Sequence, residues 1–131
     1  MTPIDKRYRQ EERLKSRKQI AALFKNRQSI GVYPLRIFWQ CSPQKETSLP
    51  KIAFSVSKKT FKSAVKRNQY KRRMREAYRL NKGKLTEGLV NEGLQGNFML
   101  IFVGKEEYDF KQIEKAWIAL VDRFIKKNKL E

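Results

Sequence analysis

The chain has 131 residues, and its 31 lysines and arginines against 13 acids give a formal net charge of +18. That length fits one domain, and 40% hydrophobic residues are enough for a core, so wholesale disorder is excluded. With no histidine and one cysteine, Cys41, the sequence excludes histidine catalysis, cysteine-rich metal sites and an intramolecular disulfide, and it suits a reducing compartment.

The N-terminal part predicts an arm followed by a helix. Residues 1–12 lack periodicity and predict a flexible basic arm ahead of a single domain over 13–131. Ser16 and Gln19 have the spacing of a capping box, and apolar residues follow at helical spacing. The pattern therefore predicts a short helix over 17–26.

The next two segments predict strands with two different faces. Segment 29–41 is rich in β-branched and aromatic residues, and Pro34 predicts a bend or a sheet edge because proline lacks an amide donor. Residues 42–50 predict a polar hairpin loop before a strand over 51–57. Alternation puts large side chains on one face, Leu35, Ile37, Trp39, Ile52, Phe54 and Val56, and Arg36, Phe38, Gln40, Ala53, Ser55 and Ser57 on the other. The second face predicts a shallow, open surface on which an extended chain could lie.

A long basic helix follows over 63–81, a segment without glycine or proline. On a helical wheel its apolar stripe consists of Tyr70, Met74, Ala77 and Tyr78. A second arc carries Asn68, Lys71, Arg72, Arg75, Arg79 and Lys82. We therefore expect the helix to dock by the apolar stripe and to expose a dense cationic side.

The last part predicts a loop, a strand and a helix. Four glycines between residues 83 and 96 indicate a long loop over 83–97. The uniformly apolar run Phe98–Val103 predicts a central strand that is buried on both faces. Asp109 and Gln112 form a second capping box before a helical stripe that reaches about Lys127. This order of elements predicts one α+β domain with a small sheet.

Charge is concentrated around the long helix, where eleven basic residues and one acid, Glu76, lie between Lys58 and Lys82. Like charges at helical spacing repel, so a polyanion that relieves the repulsion is the favoured partner. A merely solubilising face or a membrane surface is an alternative, but the helix lacks a broad inserting face. Composition leaves RNA and DNA both open.

Two aromatic residues have alternative interpretations. Phe38 could stack on an unpaired base or could lie in the core under the first helix. For Phe24 ordinary packing is favoured, because it belongs to an apolar stripe.

Catalysis by the protein is not predicted: Asp109 is a cap, Glu106 and Glu107 form no cluster suited to two metals, and no histidine is present to activate serines.

One region resembles a known family. Ser55-Val56-Ser57-Lys58-Lys59, followed by Ala64-Val65-Lys66-Arg67-Asn68-Gln69-Tyr70-Lys71-Arg72-Arg73-Met74-Arg75-Glu76-Ala77-Tyr78, resembles the protein subunit of bacterial ribonuclease P. The resemblance extends over about residues 13–127. Two positions depart from the family pattern: Gln69 replaces the usual arginine, and Ile20 stands where an aromatic residue is common.

The resemblance implies a fold and a function. The fold is an αβββαβα two-layer sandwich with a small mixed sheet and a left-handed β-α-β crossover. The function is that of an accessory subunit that binds a catalytic RNA and the 5′ leader of precursor tRNA, so that the RNA removes the leader. Mg²⁺ is then held mainly by the RNA, and no cofactor is expected on the protein alone. We expect a cytoplasmic protein that is monomeric without RNA.

The resemblance also assigns two surfaces. Its catalytic-RNA surface corresponds to Lys66, Arg67, Asn68, Lys71, Arg72, Arg75 and Arg79. Its leader cleft corresponds to Ile20, Phe24, Arg36, Phe38, Ala53, Ser55, Lys58 and Lys59. Alternatives at this stage are a small ribosomal protein or RNA chaperone, a nuclease acting without RNA, and a DNA-binding regulator.

Overall fold

The structure, a computed structural model, describes residue 8 and residues 10–43 and 50–128. After a 3-10 helix at Gln10–Glu12, the elements in chain order are α1 (Arg17–Asn26), β1 (Ser29–Val32), β2 (Leu35–Pro43), β3 (Lys51–Val56), α2 (Ala64–Leu80), α3 (Gly83–Asn91), β4 (Leu94–Phe102) and α4 (Phe110–Lys127). The predicted α+β class is confirmed. Over these described ranges, every helix is too short or too polar to cross a membrane.

The four strands form one mixed sheet in the order β1-β2-β4-β3. Strands β1 and β2 make an antiparallel hairpin with Tyr33 and the cis Pro34 in its turn. The bend predicted near Pro34 is confirmed by this turn between the two strands. Strand β4 runs antiparallel to β2 and parallel to β3. The predicted hairpin over 42–50 is therefore wrong, because β4 lies between the two strands; residues 44–49 of that loop lie outside the described residues. The left-handed sense of the β3–β4 crossover stays a prediction.

The main core lies between one face of the sheet and helices α2, α3 and α4. The strands contribute the large side chains that alternation predicts for this face, with Phe54 only half-buried. Helix α2 contributes all four members of its predicted apolar stripe, which are 0% exposed. Helix α4 begins with the predicted capping box, in which Asp109 and Gln112 each accept a hydrogen bond from the other's backbone.

Helix α1 packs on the opposite face of the sheet. Ser16 Oγ accepts a hydrogen bond from the Gln19 backbone at 3.2 Å, and the helix has the predicted bounds. Its Leu23 is fully buried beside Leu14 and Met99. Among the residues that the structure describes, this short helix and Leu14 cover only part of the face, and the rest of it is open.

The prediction of a long loop over 83–97 is wrong, because α3 and the first part of β4 occupy most of this range. Leu85 and Leu89 lie one helical turn apart and are both buried in the core, and this pairing drives the formation of α3. Gly93, with φ +64°, makes the turn between α3 and β4, a conformation that suits glycine. Gly96 belongs to β4, and a Cβ at this position would lie 2.7 Å from the ring of Phe98.

Two further corrections concern one buried ion pair. Gln10–Glu12, predicted as part of the flexible arm, forms a 3-10 helix in which Glu12 is fully buried. Lys82, predicted on the exposed cationic side of α2, lies beyond that helix and donates to Glu12 Oε1 at 2.8 Å. Tyr78 donates to the same oxygen at 2.7 Å. The Glu12 carboxylate and the Lys82 ammonium group compensate each other's charge, and this compensation allows both side chains to be buried.

Candidate nucleic-acid interface

Helix α2 exposes a row of unengaged polar and cationic side chains. The helix begins at the Ser63 cap, and its apolar stripe holds it against the sheet and α4, which leaves the opposite side open. Of the predicted RNA-binding residues, four form no side-chain hydrogen bond or ion pair within residues 10–43 and 50–128: Asn68, Lys71, Arg72 and Arg75. Lys71 is half-buried and the other three are exposed. These four side chains are free to contact phosphates.

The other three predicted RNA-binding residues are already engaged within the protein. Lys66 forms an ion pair with Glu107, which holds the pKa of that carboxyl below its usual value. Arg67 donates to the carbonyls of Phe61 and Lys62 at 2.8 and 2.9 Å, so it shapes the loop before α2. Arg79 bonds Glu76 at 2.8 Å one turn back on the same helix.

Arg73, which is not among the predicted RNA-binding residues above, fixes the loop before α4. Its guanidinium donates to the Tyr108 carbonyl at 2.7 Å and lies 4.8 Å from the centre of the Tyr70 ring. On the same loop, Glu106 Oε2 accepts hydrogen bonds from Tyr33 and Tyr108, each at 3.0 Å, and the Tyr33 bond in particular lowers the pKa of Glu106. The acids of this loop therefore hold neighbouring elements together.

In the described ranges, acidic and cysteine side chains do not gather in groups of three or more that could hold a metal ion.

The open face of the sheet is organised in rows of side chains across β2, β4 and β3. One row consists of Phe38, Met99 and Ala53, and the next of Arg36, Ile101 and Ser55. Helix α1 covers the first row from above. Phe24 of that helix is 43% exposed, and its ring centre lies 4.9 Å from that of Phe38. The two rings pack on each other and also face solvent, which combines the two interpretations that the sequence left open.

The structure brings only part of the predicted leader cleft into one cluster. Ile20, Phe38 and Ala53 are half-buried in the small cluster under α1, and Phe24 closes its rim. Arg36 is exposed one row away and donates to Ser29 Oγ at 2.8 Å, while the half-buried Ser55 shares its row. The lysines, Lys58 and Lys59, follow the end of β3 and are exposed. They extend the cleft with positive charge.

A shallow cavity of about 290 Å³ at the edge of β3 connects this face with α2. Its lining residues come from both surfaces and from the segment before α1: Tyr8, Arg13, Leu14, Lys15, Ala53, Phe54, Lys71 and Arg75. The Leu14 amide donates to the Ile52 carbonyl at 3.2 Å, which ties that segment to the edge strand. Tyr8 also donates to this carbonyl at 2.7 Å, and burial raises the pKa of Tyr8 to about 12.

Three residues that line this cavity were not predicted from the sequence: Tyr8, Arg13 and Lys15. The sequence offered a signal for two of them only, since Arg13 and Lys15 lie at the start of the region, about residues 13–127, that resembles the family. Their position depends on contacts with a strand about forty residues later, which local patterns do not reveal.

Comparisons with known proteins agree with this fold. A family model described as Ribonuclease P matches residues 8–125. The chain is 37% identical over 105 residues to the ribonuclease P protein component of Porphyromonas gingivalis strain ATCC 33277, covering 80% of this chain and 77% of that protein. It is 39% identical over 88 residues to that of Chlorobium phaeobacteroides, covering 65% and 60%.

Two solved structures show the same fold. The RNase P protein from Thermotoga maritima superposes with a TM-score of 0.66 at 24% identity, covering 86% of this chain and 96% of that one. The RNase P protein of Staphylococcus aureus gives a TM-score of 0.65 at 19% identity, covering 86% and 94%.

Proposed function

The chain belongs to the ribonuclease P protein family, and from that membership we propose that it is the protein subunit of a ribonucleoprotein that removes the 5′ leader of precursor tRNA. In this proposal one surface binds the catalytic RNA and the other binds the leader. The protein supplies positive charge and a stacking surface, and the RNA carries out the hydrolysis.

The exposed side of α2 is the proposed docking surface for the catalytic RNA. Asn68, Arg72 and Arg75 are exposed and unengaged, so binding a phosphate would break no contact within the described protein. Arginine is well suited to this role because its planar guanidinium binds phosphate oxygens in pairs. With about six phosphate contacts, affinity should fall roughly a thousandfold between about 50 and 200 mM salt.

The face beside α1 is the proposed site for the leader, which is single-stranded. Phe24 and Phe38 offer aromatic surface at the rim, and stacking on aromatic rings is how many proteins hold unpaired bases. Arg36, Lys58 and Lys59 surround this rim with positive charge that attracts the phosphates between stacked bases. Small side chains at Ala53 and Ser55 leave room for the chain.

The single observation that carries the proposal is the cavity at the edge of β3. Lys71 and Arg75 from the docking surface and Ala53 from the leader face line this one cavity. The two surfaces are therefore continuous around the sheet edge. A protein with this arrangement can hold two RNA strands close together and offset the repulsion between their phosphates.

The proposal gives the protein no bond-breaking step. The three acids that the sequence analysis considered for catalysis have structural partners instead: Glu106 accepts hydrogen bonds from two tyrosines, Glu107 pairs with Lys66, and Asp109 caps α4. We therefore assign Mg²⁺ mainly to the RNA, as the family resemblance implies, and propose that the protein is monomeric until it meets the RNA.

Reconstitution tests this function. Purified protein is added to the matching catalytic RNA at low Mg²⁺, and cleavage of precursor tRNA is followed with time. The proposal predicts strong stimulation, because added positive charge replaces part of the screening that Mg²⁺ supplies. Absence of stimulation would favour a general RNA-binding protein instead. Cleavage by protein that has been pretreated with ribonuclease would show that it is a nuclease in its own right.

A further inference from the structure

A third row of side chains crosses the open face of the sheet beyond the predicted leader cleft. It consists of Gln40 on β2, Asn97 on β4 and Lys51 on β3, which are paired directly across the sheet. The row lies two residues along each strand from the Phe38 row, on the side away from Arg36. Together with Gln19 of α1 it lines a cavity of about 220 Å³. This cavity is smaller than the pockets that hold drug-sized ligands, which begin at about 300 Å³.

Four polar side chains that line this cavity are unengaged. Within residues 10–43 and 50–128, the side chains of Gln19, Gln40, Lys51 and Asn97 form no hydrogen bond or ion pair. One side of the cavity is closed by Gln95, which donates to Ser42 Oγ at 3.3 Å. Among the described residues, none of those that line the cavity is acidic. Three amides and an ammonium group thus face the same small space without partners in the described protein.

These three carboxamides and one ammonium group are suited to binding a single nucleotide. A carboxamide carries a donor and an acceptor side by side, and this pair fits the edge of a base in a two-bonded contact. The Lys51 ammonium group provides a positive charge for the adjoining phosphate. We propose that this cavity, the Gln40–Asn97–Lys51 pocket, binds the edge of an unpaired base of the leader, farther along the leader than the bases held at Phe24 and Phe38.

The position of the pocket supports the leader as the occupant. The pocket shares the sheet face of Phe38 and lies across α1 from Lys58 and Lys59, whereas the proposed docking surface for the catalytic RNA is on α2. A strand that follows this face from the lysines reaches the pocket only after it has passed the aromatic pair. The inference therefore rests on the proposed function and adds a recognition site for a base to it.

The test uses the reconstituted ribonucleoprotein and a series of precursor tRNAs whose leaders lengthen one nucleotide at a time. Affinity is measured for the unchanged protein and for Asn97→Ala, Gln40→Ala and Lys51→Ala. For the unchanged protein, affinity should increase at the leader length that reaches the pocket. In Asn97→Ala this increase should fall about tenfold, the effect of losing a two-bonded contact to a base. Shorter leaders and mature tRNA should bind as before.

Matched controls are Asn91→Ala at the end of α3 and Lys115→Ala on α4, which remove the same groups from exposed positions elsewhere. Thermal unfolding of each variant identifies a folding defect, and Asn97→Asp, nearly the same shape, should weaken long-leader binding further through repulsion.

The inference is overturned if all three pocket variants bind every leader like the unchanged protein, or if they weaken mature tRNA equally. If the unchanged protein itself does not favour leader-bearing substrates, the proposed function fails instead.

Discussion

Lys82 Nζ lies 2.8 Å from Glu12 Oε1 and 2.9 Å from Oε2, and the two side chains are only 3% and 0% exposed. The contact joins residues 70 positions apart. It holds the segment before α1 against the start of α3, and through that segment it sets one wall of the cavity at the edge of β3. A buried ion pair thus holds in place the segment that lines this cavity.

Removing one partner of this pair should be costly. Glu12→Gln removes the carboxylate that Lys82 contacts in a buried setting, so the free energy of unfolding should fall by about 3–5 kcal/mol. Urea unfolding checks the value. The double change Glu12→Gln with Lys82→Met should recover part of the loss because it removes the buried positive charge together with the buried carboxylate. Equal stabilities of Glu12→Gln and the unchanged protein would show that the pair does not anchor the segment.

Two neighbouring arginines of α2 should behave differently. Arg75→Ala should leave stability within about 0.5 kcal/mol but weaken binding of the catalytic RNA and reduce its salt slope by about 1. Arg73→Ala should instead cost about 2 kcal/mol of stability, since it removes the bond to the Tyr108 carbonyl and the contact with Tyr70. Filter binding over a salt series and urea unfolding separate the two effects. The opposite assignment would contradict the proposed docking surface.

The ion pair between Lys66 and Glu107 should limit RNA binding. Glu107→Gln keeps the shape of the side chain but releases Lys66, so affinity for the catalytic RNA should rise a few-fold and the salt slope should steepen by up to about 1. The control is Glu87→Gln on α3, which makes the same change in net charge at an exposed site. If both variants bind RNA equally, Lys66 does not contact phosphate.

Phe38 should contribute to leader binding through stacking. Phe38→Leu retains apolar volume under α1 but removes the ring, so affinity for precursor tRNA should fall roughly 5- to 150-fold, the range for one stacked base. Mature tRNA should bind as before. Equal weakening of precursor and mature tRNA would place the effect on folding or on the catalytic RNA instead.

Local signals in the sequence predicted most of the secondary structure. Ser16 caps α1, Asp109 caps α4, and the apolar stripe around Tyr70 defines the buried side of α2. Each of these signals could be found in the sequence because it depends on residues within one or two helical turns. Alternation likewise predicted which faces of β2 and β3 enter the core. The open sheet face followed directly from that alternation.

The features that the sequence did not predict depend on distant contacts. Helix α3 was obscured because its glycines indicate turns, although Leu85 and Leu89 supply a buried face once β4 and α4 are present. The position of β4 between β2 and β3 requires a parallel pairing across two helices. The burial of Glu12 with Lys82 and the engagement of Lys66 by Glu107 have no local signature at all.

The most direct test of the central claim, that the protein holds catalytic RNA and leader together, compares precursor with mature tRNA. Affinity of each is measured for the catalytic RNA alone and for the reconstituted ribonucleoprotein at the same low Mg²⁺. We predict that the protein strengthens binding of precursor tRNA and leaves binding of mature tRNA nearly unchanged. Equal strengthening of both substrates, or of neither, would contradict the claim.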